Sequence, residues 1–170
     1  MSVEQHKKEA PAEVRCMILT VSDTKSYDTD KSGTLIREML EEGGHSVTEY
    51  QIVRDEYSQI QHWLKIAASR ADIDTILING GTGIALRDTT YEAVRDSLDK
   101  EMPGFGEVFR YLSFVEDIGT AAILSRAIAG VRDGKAIFSM PGSPGAVKLA
   151  MNRIIVPELG HVMREILKDR

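Results

Sequence analysis

Ile73-Asp-Thr-Ile-Leu-Ile-Asn-Gly-Gly-Thr-Gly-Ile-Ala-Leu-Arg-Asp-Thr-Thr-Tyr-Glu92 contains the transition that decides the fold. The apolar run Ile73 to Ile78 reads as a buried strand. Thr89, with Glu92 three residues on, has the spacing of a capping box at a helix start. Between strand and helix, Gly80, Gly81 and Gly83 flank Thr82. Such a loop lets bare backbone N–H groups converge on an anion beside a helix N-terminus. Arg87 and Asp88 close it, so one place could hold both a phosphate and a metal ion. Two familiar phosphate loops are excluded by spacing. Gly130-Val-Arg-Asp-Gly134-Lys135 matches neither the length nor the Ser/Thr of a P-loop, and Gly81-x-Gly83 lacks the third glycine of a dinucleotide fingerprint.

Outward from this stretch, strand and helix patterns alternate. Val14 to Val21 is a strand that ends at Ser22-Asp23-Thr24, and Ser46 to Val53 is a second. Leu35, Ile36, Met39 and Leu40 have helical spacing before Gly43-Gly44, and Ile60, Trp63, Leu64, Ala67 and Ala68 line another helix. This order implies a three-layer α/β/α domain with a mainly parallel sheet. Asp133-Gly134 between Ala127–Val131 and Lys135–Met140 is a hairpin signal, so one antiparallel strand is expected near Lys135 to Met140. Ser143 and Pro144 suit the cap and first position of a helix. Two terminal helices follow, broken at Pro157. Residues 1–13 read as a flexible polar tail, and 14–170 as a single domain.

The composition excludes several function classes. Across 170 residues the chain is 42% hydrophobic and 28% charged, which suits one globular core. Its net charge of -5 argues against a nucleic-acid surface, though not against a phosphorylated small molecule in a local pocket. One cysteine, Cys16, allows no internal disulfide and reads as a core thiol. His6, His45, His62 and His161 are scattered without ligand spacing, which weighs against zinc and against His-based acid–base chemistry. No apolar run is long enough for a membrane span and no apolar leader is present, so a cytoplasmic protein is expected.

Ligands of open parallel sheets sit beyond the carboxyl ends of the strands. Four segments should therefore converge: Ser22-Asp23, Arg54-Asp55, the glycine loop through Arg87-Asp88, and Pro141-Gly142-Ser143. Asp55 and Asp88 would face one cleft, where two carboxylates suit Mg²⁺ and the phosphates of a nucleotide. Structural roles stand beside these. Asp55 could cap its own helix, Asp88 could brace the loop, Arg87 could be a solvated charge, and Ser32 could cap a helix.

Thr20-Val-Ser-Asp23, Asp30-Lys-Ser-Gly33, Gly80-Gly-Thr-Gly83 with Arg87-Asp88, Met102-Pro-Gly-Phe-Gly106, Ala122-Ile-Leu-Ser-Arg126 and Pro141-Gly-Ser-Pro144 together resemble the MoaB/MogA family of molybdenum cofactor biosynthesis, closest to its MoaB branch. The resemblance runs from about Val14 to the C-terminus. It implies binding of molybdopterin and its adenylylation by ATP with Mg²⁺, releasing pyrophosphate; a non-catalytic pterin-binding or scaffold role is the alternative. It implies that Asp55 and Asp88 are the catalytic, metal-holding carboxylates, that Ser32 and Ser113 are pterin-side hydroxyls, and that Gly80, Gly81, Thr82 and Gly83 cradle phosphate. It further implies a homo-oligomer, trimer or hexamer, and contact with a molybdate-inserting partner. Members of that family usually carry Pro at the positions of Leu86 and Tyr91 and Val at that of Thr89.

Overall fold

The computed structural model describes residues 1–170. Its sheet has six strands in the order β2-β1-β3-β6-β5-β4. These are β1 (Arg15–Val21), β2 (Ser46–Val53), β3 (Thr75–Asn79), β4 (Lys100–Glu101), β5 (Ile128–Arg132) and β6 (Lys135–Met140). The helices are α1 (Val3–Lys8), α2 (Lys31–Glu42), α3 (Tyr57–Ser69), α4 (Thr90–Ser97), α5 (Pro103–Glu116), α6 (Pro144–Ala150) and α7 (Val156–Leu167). None is long and apolar enough to cross a membrane.

Alternation along the central strands builds the three layers. Cys16, Ile18, Leu77 and Phe138 point to one face and pack with Ile36 and Leu40 of α2, Phe105 and Phe109 of α5, and Leu159 and Met163 of α7. Met17, Leu19, Ile76, Ile78 and Ile137 point to the other, against Ile60 and Leu64 of α3 and Ala93 and Val94 of α4. Every residue of β3 is buried, as expected of a strand covered on both faces. Cys16 is fully buried, and that burial pushes its thiol up to about 12.

The antiparallel strand lies one element earlier than expected. β6 runs parallel to β3, whereas β5 opposes both β6 and the short edge strand β4. The hairpin itself forms as its sequence dictates: Asp133 and Gly134 have φ of 48° and 76° between the paired Arg132 and Lys135. Two positive φ values make the turn whose twist matches the strands. A hairpin signal gives the relative direction of its two strands but not which one joins the parallel set. The apolar pairing of Ile76 with Ile137 and Leu77 with Phe138 decides that.

Both chain ends also depart from the expected pattern. The polar tail carries α1, opened by a Ser2–Gln5 capping box and leaning on α7 through the ion pairs Lys7–Glu158 and Arg164–Glu9. Pro157 does not break the terminal helix. A π-helical stretch, Met151–Ile155, joins α6 to α7, and Pro157 falls in the first turn of α7, where a missing N–H is tolerated.

Asp30, only 1% exposed, caps α2 by accepting from the Gly33 N–H at 2.9 Å and also accepts from the Tyr50 hydroxyl. Those bonds tie the start of α2 to β2. Removing the phenol leaves a buried acceptor short of a charge-assisted bond, which costs about 1.5–3 kcal/mol. Tyr50→Phe is therefore expected to lower the urea midpoint by that equivalent at unchanged m-value; an unchanged midpoint would show the bond to be neutral.

Candidate functional site

All four predicted loops meet at one edge of the sheet, because β1, β2, β3 and β6 run the same way. Ser22 follows β1, and its Oγ accepts from the N–H groups of Thr24 and Lys25 at 3.2 and 3.1 Å, folding that loop back. Asp23 accepts the Asp55 N–H at 3.1 Å and a two-pronged bond from Arg87 at 2.8 and 2.9 Å. Arg87 is thus no free surface charge. Its guanidinium holds the Asp23 carboxyl below the usual carboxylate range.

The glycine loop is shaped by close approach. Gly80 and Gly81 have φ of 99° and 68°, where an L side chain is strained. A Cβ on Gly80 would collide with the Val21 carbonyl, and one on Gly81 with the Thr90 hydroxyl, 2.8 Å from Asp55 Oδ2. At Gly83 a Cβ would lie 2.6 Å from Asp88 Oδ2. Both aspartates therefore press directly on the loop. Thr82 is buried beneath it.

Each aspartate keeps one carboxylate oxygen without a protein donor. Asp55 Oδ1 accepts the Thr89 N–H at 3.2 Å and its hydroxyl at 3.0 Å, leaving Oδ2 toward Gly81. Asp88 Oδ2 accepts the Ala85 N–H at 2.9 Å, which braces the loop and leaves Oδ1. Asp55 does not cap its own helix. The residue at that cap is Glu56, whose side chain makes no capping bond, while Asp55 anchors the start of α4 through Thr89. The Thr89–Glu92 capping box does not form either, because Thr89 turns to Asp55 and Glu92 to Arg126. Partial burial holds the Asp55 carboxyl above the usual range, and the charges of Asp88 and Asp23 push it the same way against the two bonds from Thr89.

Arg126 fastens this loop, and no local pattern singled it out. Its backbone N–H donates to the Thr82 carbonyl at 2.9 Å; its guanidinium reaches the carbonyls of Gly83 at 2.8 Å and Asp88 at 2.9 Å and pairs with Glu92. It also lies over the Tyr91 ring, 5.2 Å from the centroid. Only its place in the Ala122–Arg126 motif could have drawn attention to it.

On the far side, Pro141-Gly142-Ser143 leads into α6. Ser143 caps that helix as expected, accepting from the Ala146 N–H at 3.2 Å. A Cβ on Gly142 would sit 3.2 Å from the Gly80 Cα, so the two glycine turns touch. Ser32 is not a helix cap; Asp30 is. Ser32 is fully buried and donates to the Gly142 carbonyl at 2.6 Å, locking α2 to this turn. Ser113 is likewise buried, on the inner face of α5. Neither serine presents more than 3% of its surface. Beneath the loop, Asn79 Oδ1 and Thr90 Oγ1 are buried without a partner. A polar hollow of about 410 Å³ opens alongside, lined by Asp28, Asp30, Lys31, Thr34, Pro144 and Lys148 among others.

Residues 17–161 match the family model described as "Probable molybdopterin binding domain". The chain is 87% identical over 170 residues to the molybdenum cofactor biosynthesis protein B of Halalkalibacterium halodurans, and 56% identical over 170 residues to that of Bacillus subtilis; both alignments cover all of each chain. A crystal structure of molybdenum cofactor biosynthesis protein B superposes with a TM-score of 0.91 at 55% identity, covering 94% of this chain and 99% of that one. With one family model spanning the domain and its relatives alike from end to end, the chain belongs to the MoaB/MogA family of molybdenum cofactor biosynthesis proteins.

Proposed function

We propose that this chain acts in molybdenum cofactor biosynthesis by binding molybdopterin and adenylylating it with ATP. The observation that supports this reading best is the pairing of Asp55 and Asp88 across the glycine loop, each with one unpartnered oxygen. In the reaction, a terminal phosphate oxygen of the pterin forms a bond to the α-phosphorus of ATP. The bond from that phosphorus to the bridging oxygen breaks, and pyrophosphate leaves. A phosphate nucleophile is already anionic near neutral pH, so no strong general base is required, and catalysis rests on alignment and charge neutralisation. The absence of any histidine from this edge is consistent with that requirement.

The donor set fits Mg²⁺, a hard cation that takes one or two carboxylates plus phosphate oxygens. Asp55 and Asp88 would hold it, and when bound it neutralises phosphate charge. Burial first, and the charges of Asp88 and Asp23 after it, hold the Asp55 carboxyl above its usual range, and a cation bound there would oppose both. Backbone N–H groups of Gly81 to Gly83 would receive phosphate, with Arg126 fixing their direction. Thr82, Ser22 and Ser143 border the same edge. The hollow beside Pro144 would take the pterin, with Asp28 and Glu38 as acceptors for ring N–H groups and Lys31 and Lys148 for its phosphate. Ser32 and Ser113 then support that pocket from behind, through Gly142 and α5, without presenting their hydroxyls to the ligand. A homo-oligomer completes the reading: Val108, Tyr111, Phe114, Val115 and Ile118 leave an exposed apolar face on and just beyond α5.

One observation favours a non-catalytic pterin binder instead. Arg87, which closes the loop in sequence, is engaged by Asp23 and so is not free for phosphate. Incubating the protein with molybdopterin and Mg-ATP, with mass detection of adenylylated pterin, separates the two. Pterin binding without product would overturn the catalytic reading.

If the carboxylates act in the transition state, Asp55→Asn and Asp88→Asn should each lower turnover about a hundredfold or more, roughly 3 kcal/mol of barrier. Stability gives an independent check at Asp55. A carboxyl harder to ionise folded than unfolded destabilises the fold once pH has risen past its folded value, and contributes nothing below its unfolded one. Asp55→Asn should thus gain stability over wild type at about pH 7 and lose that advantage by about pH 3, read from urea melts. An advantage that grows toward acid pH would contradict the assigned shift.

Arg126→Lys keeps the charge but cannot span three acceptors. Amide exchange at Gly81 to Gly83 should quicken, and turnover should fall on the order of a hundredfold through misalignment, with ATP affinity changed far less. Unchanged exchange would remove Arg126 from this role.

A further inference from the structure

Two histidines from opposite ends of the sequence meet on the surface of α7. His6, in the last turn of α1, places Nδ1 3.2 Å from Glu165 Oε1; His161, one turn before Glu165, places Nε2 4.0 Å from the same oxygen. One donor atom from each of the three residues lies within 4.8 Å of the other two. The imidazole centroids are 5.7 Å apart. The strand-end site described above uses none of these residues, and His6 and Glu165 fall outside residues 17–161, the stretch that the family model matches.

We propose that His6, His161 and Glu165 bind a zinc ion that clamps the N-terminal helix to α7. Two imidazoles and one carboxylate are a donor set suited to Zn²⁺, with water completing a tetrahedron. The outer partners are in place. Glu158 Oε2 lies 3.0 Å from His161 Nδ1. A carboxylate only accepts, so Nδ1 is the donor in that contact, and Nε2 is the nitrogen that faces Glu165. A metal-bound histidine is commonly oriented by such a carboxylate. Glu158 is itself held by Lys7 through its other oxygen, and Glu165 by Lys168 at 2.8 Å. Arg164 donates to Glu165 Oε1 at 2.7 Å and also to Glu9 at 2.6 Å. Zinc would replace its bond to Glu165 while Arg164 keeps Glu9.

The ligand side chains are accessible enough for an ion to enter, at 23% for His6, 18% for His161 and 33% for Glu165. Without metal, α1 has no buried residue and relies on surface ion pairs, which individually contribute little. A metal shared between α1 and α7 would therefore govern whether α1 is docked.

Calorimetric titration of ZnCl₂ into the full-length, untagged protein tests this. One equivalent should bind, slow amide exchange across residues 3–8, and raise the melting temperature by mass action. His6→Ala and His161→Ala lie outside the core and should fold normally, judged by their metal-free melts, yet lose both effects. Glu158→Gln should weaken binding about 10- to 100-fold. Asp55→Asn is the control for metal held at the strand-end carboxylates, and it should bind at this site as wild type does. Absence of binding, undiminished binding in both histidine variants, or loss confined to Asp55→Asn would each overturn the proposal.

Discussion

At Gly80 three backbone segments meet with no room for a side chain between them. Its N–H donates to the Met140 carbonyl at 3.0 Å, the Val21 carbonyl occupies the space a Cβ would need, and Gly142 abuts its Cα. This contact sets how far the ends of β1, β3 and β6 can stand apart. With them it fixes the spacing of the loops that carry Asp23, Asp88 and Ser143. A side chain at Gly80 or Gly142 would separate the two glycine turns before it touched any ligand. The carboxylates beyond depend on that separation, since Asp55 and Asp88 both press on the glycines that follow Gly80.

The resulting edge gathers carboxylates faster than it neutralises them. Asp23 has Arg87, and Arg126 is engaged by the Gly83 and Asp88 carbonyls and by Glu92, which leaves Asp55 and Asp88 without a cation of their own. A purely structural ledge would gain by exchanging one of them for a neutral acceptor, because Asn could take the bonds from Thr89 equally well. Retaining an ionisable group where burial and like charges oppose ionisation is a cost to folding, and costs of that kind concentrate at functional sites. The unpartnered Asn79 Oδ1 and Thr90 Oγ1 under the same loop belong to the same pattern.

Periodicity and turn signals made five of the six strands, the helices α2 and α3 and the Asp133-Gly134 hairpin legible, because each is set by neighbours within a few residues; β4 and α5 were not read. Strand order beyond the hairpin was not, since β5 and β6 have similar apolar runs and only pairing with β3 distinguishes them. The meeting of four loops followed from one rule about parallel sheets, whereas the partners inside the meeting did not. Asp55 and Ser32 both looked like caps of their own helices, yet Asp55 bonds Thr89 and Ser32 bonds Gly142 across elements. Short polar side chains satisfy local and distant donors equally well, so spacing alone cannot choose between them. His6 and His161 escaped for the same reason at greater range. Ligand spacing along a sequence detects sites built on one element, and this pair is assembled by two helices from opposite termini.

The loop's departures from its family gain sense from these distant partners. The family resemblance implies Pro at the position of Tyr91, where it would preset the first turn of the helix by restricting φ. Here the ring lies under the guanidinium of Arg126, and the adjacent Glu92 completes an ion pair with it. Thr89, in place of Val, adds a hydroxyl donor to the Asp55 oxygen that the backbone N–H already reaches. Leu86, in place of another Pro, stands 98% exposed and restrains nothing. Local stiffness has been exchanged for tertiary fastening: the helix start is fixed from β2 through Asp55 and from the segment before β5 through Arg126. A loop held this way is only as rigid as those two contacts. The geometry of the loop's backbone N–H groups is therefore set by residues outside the loop.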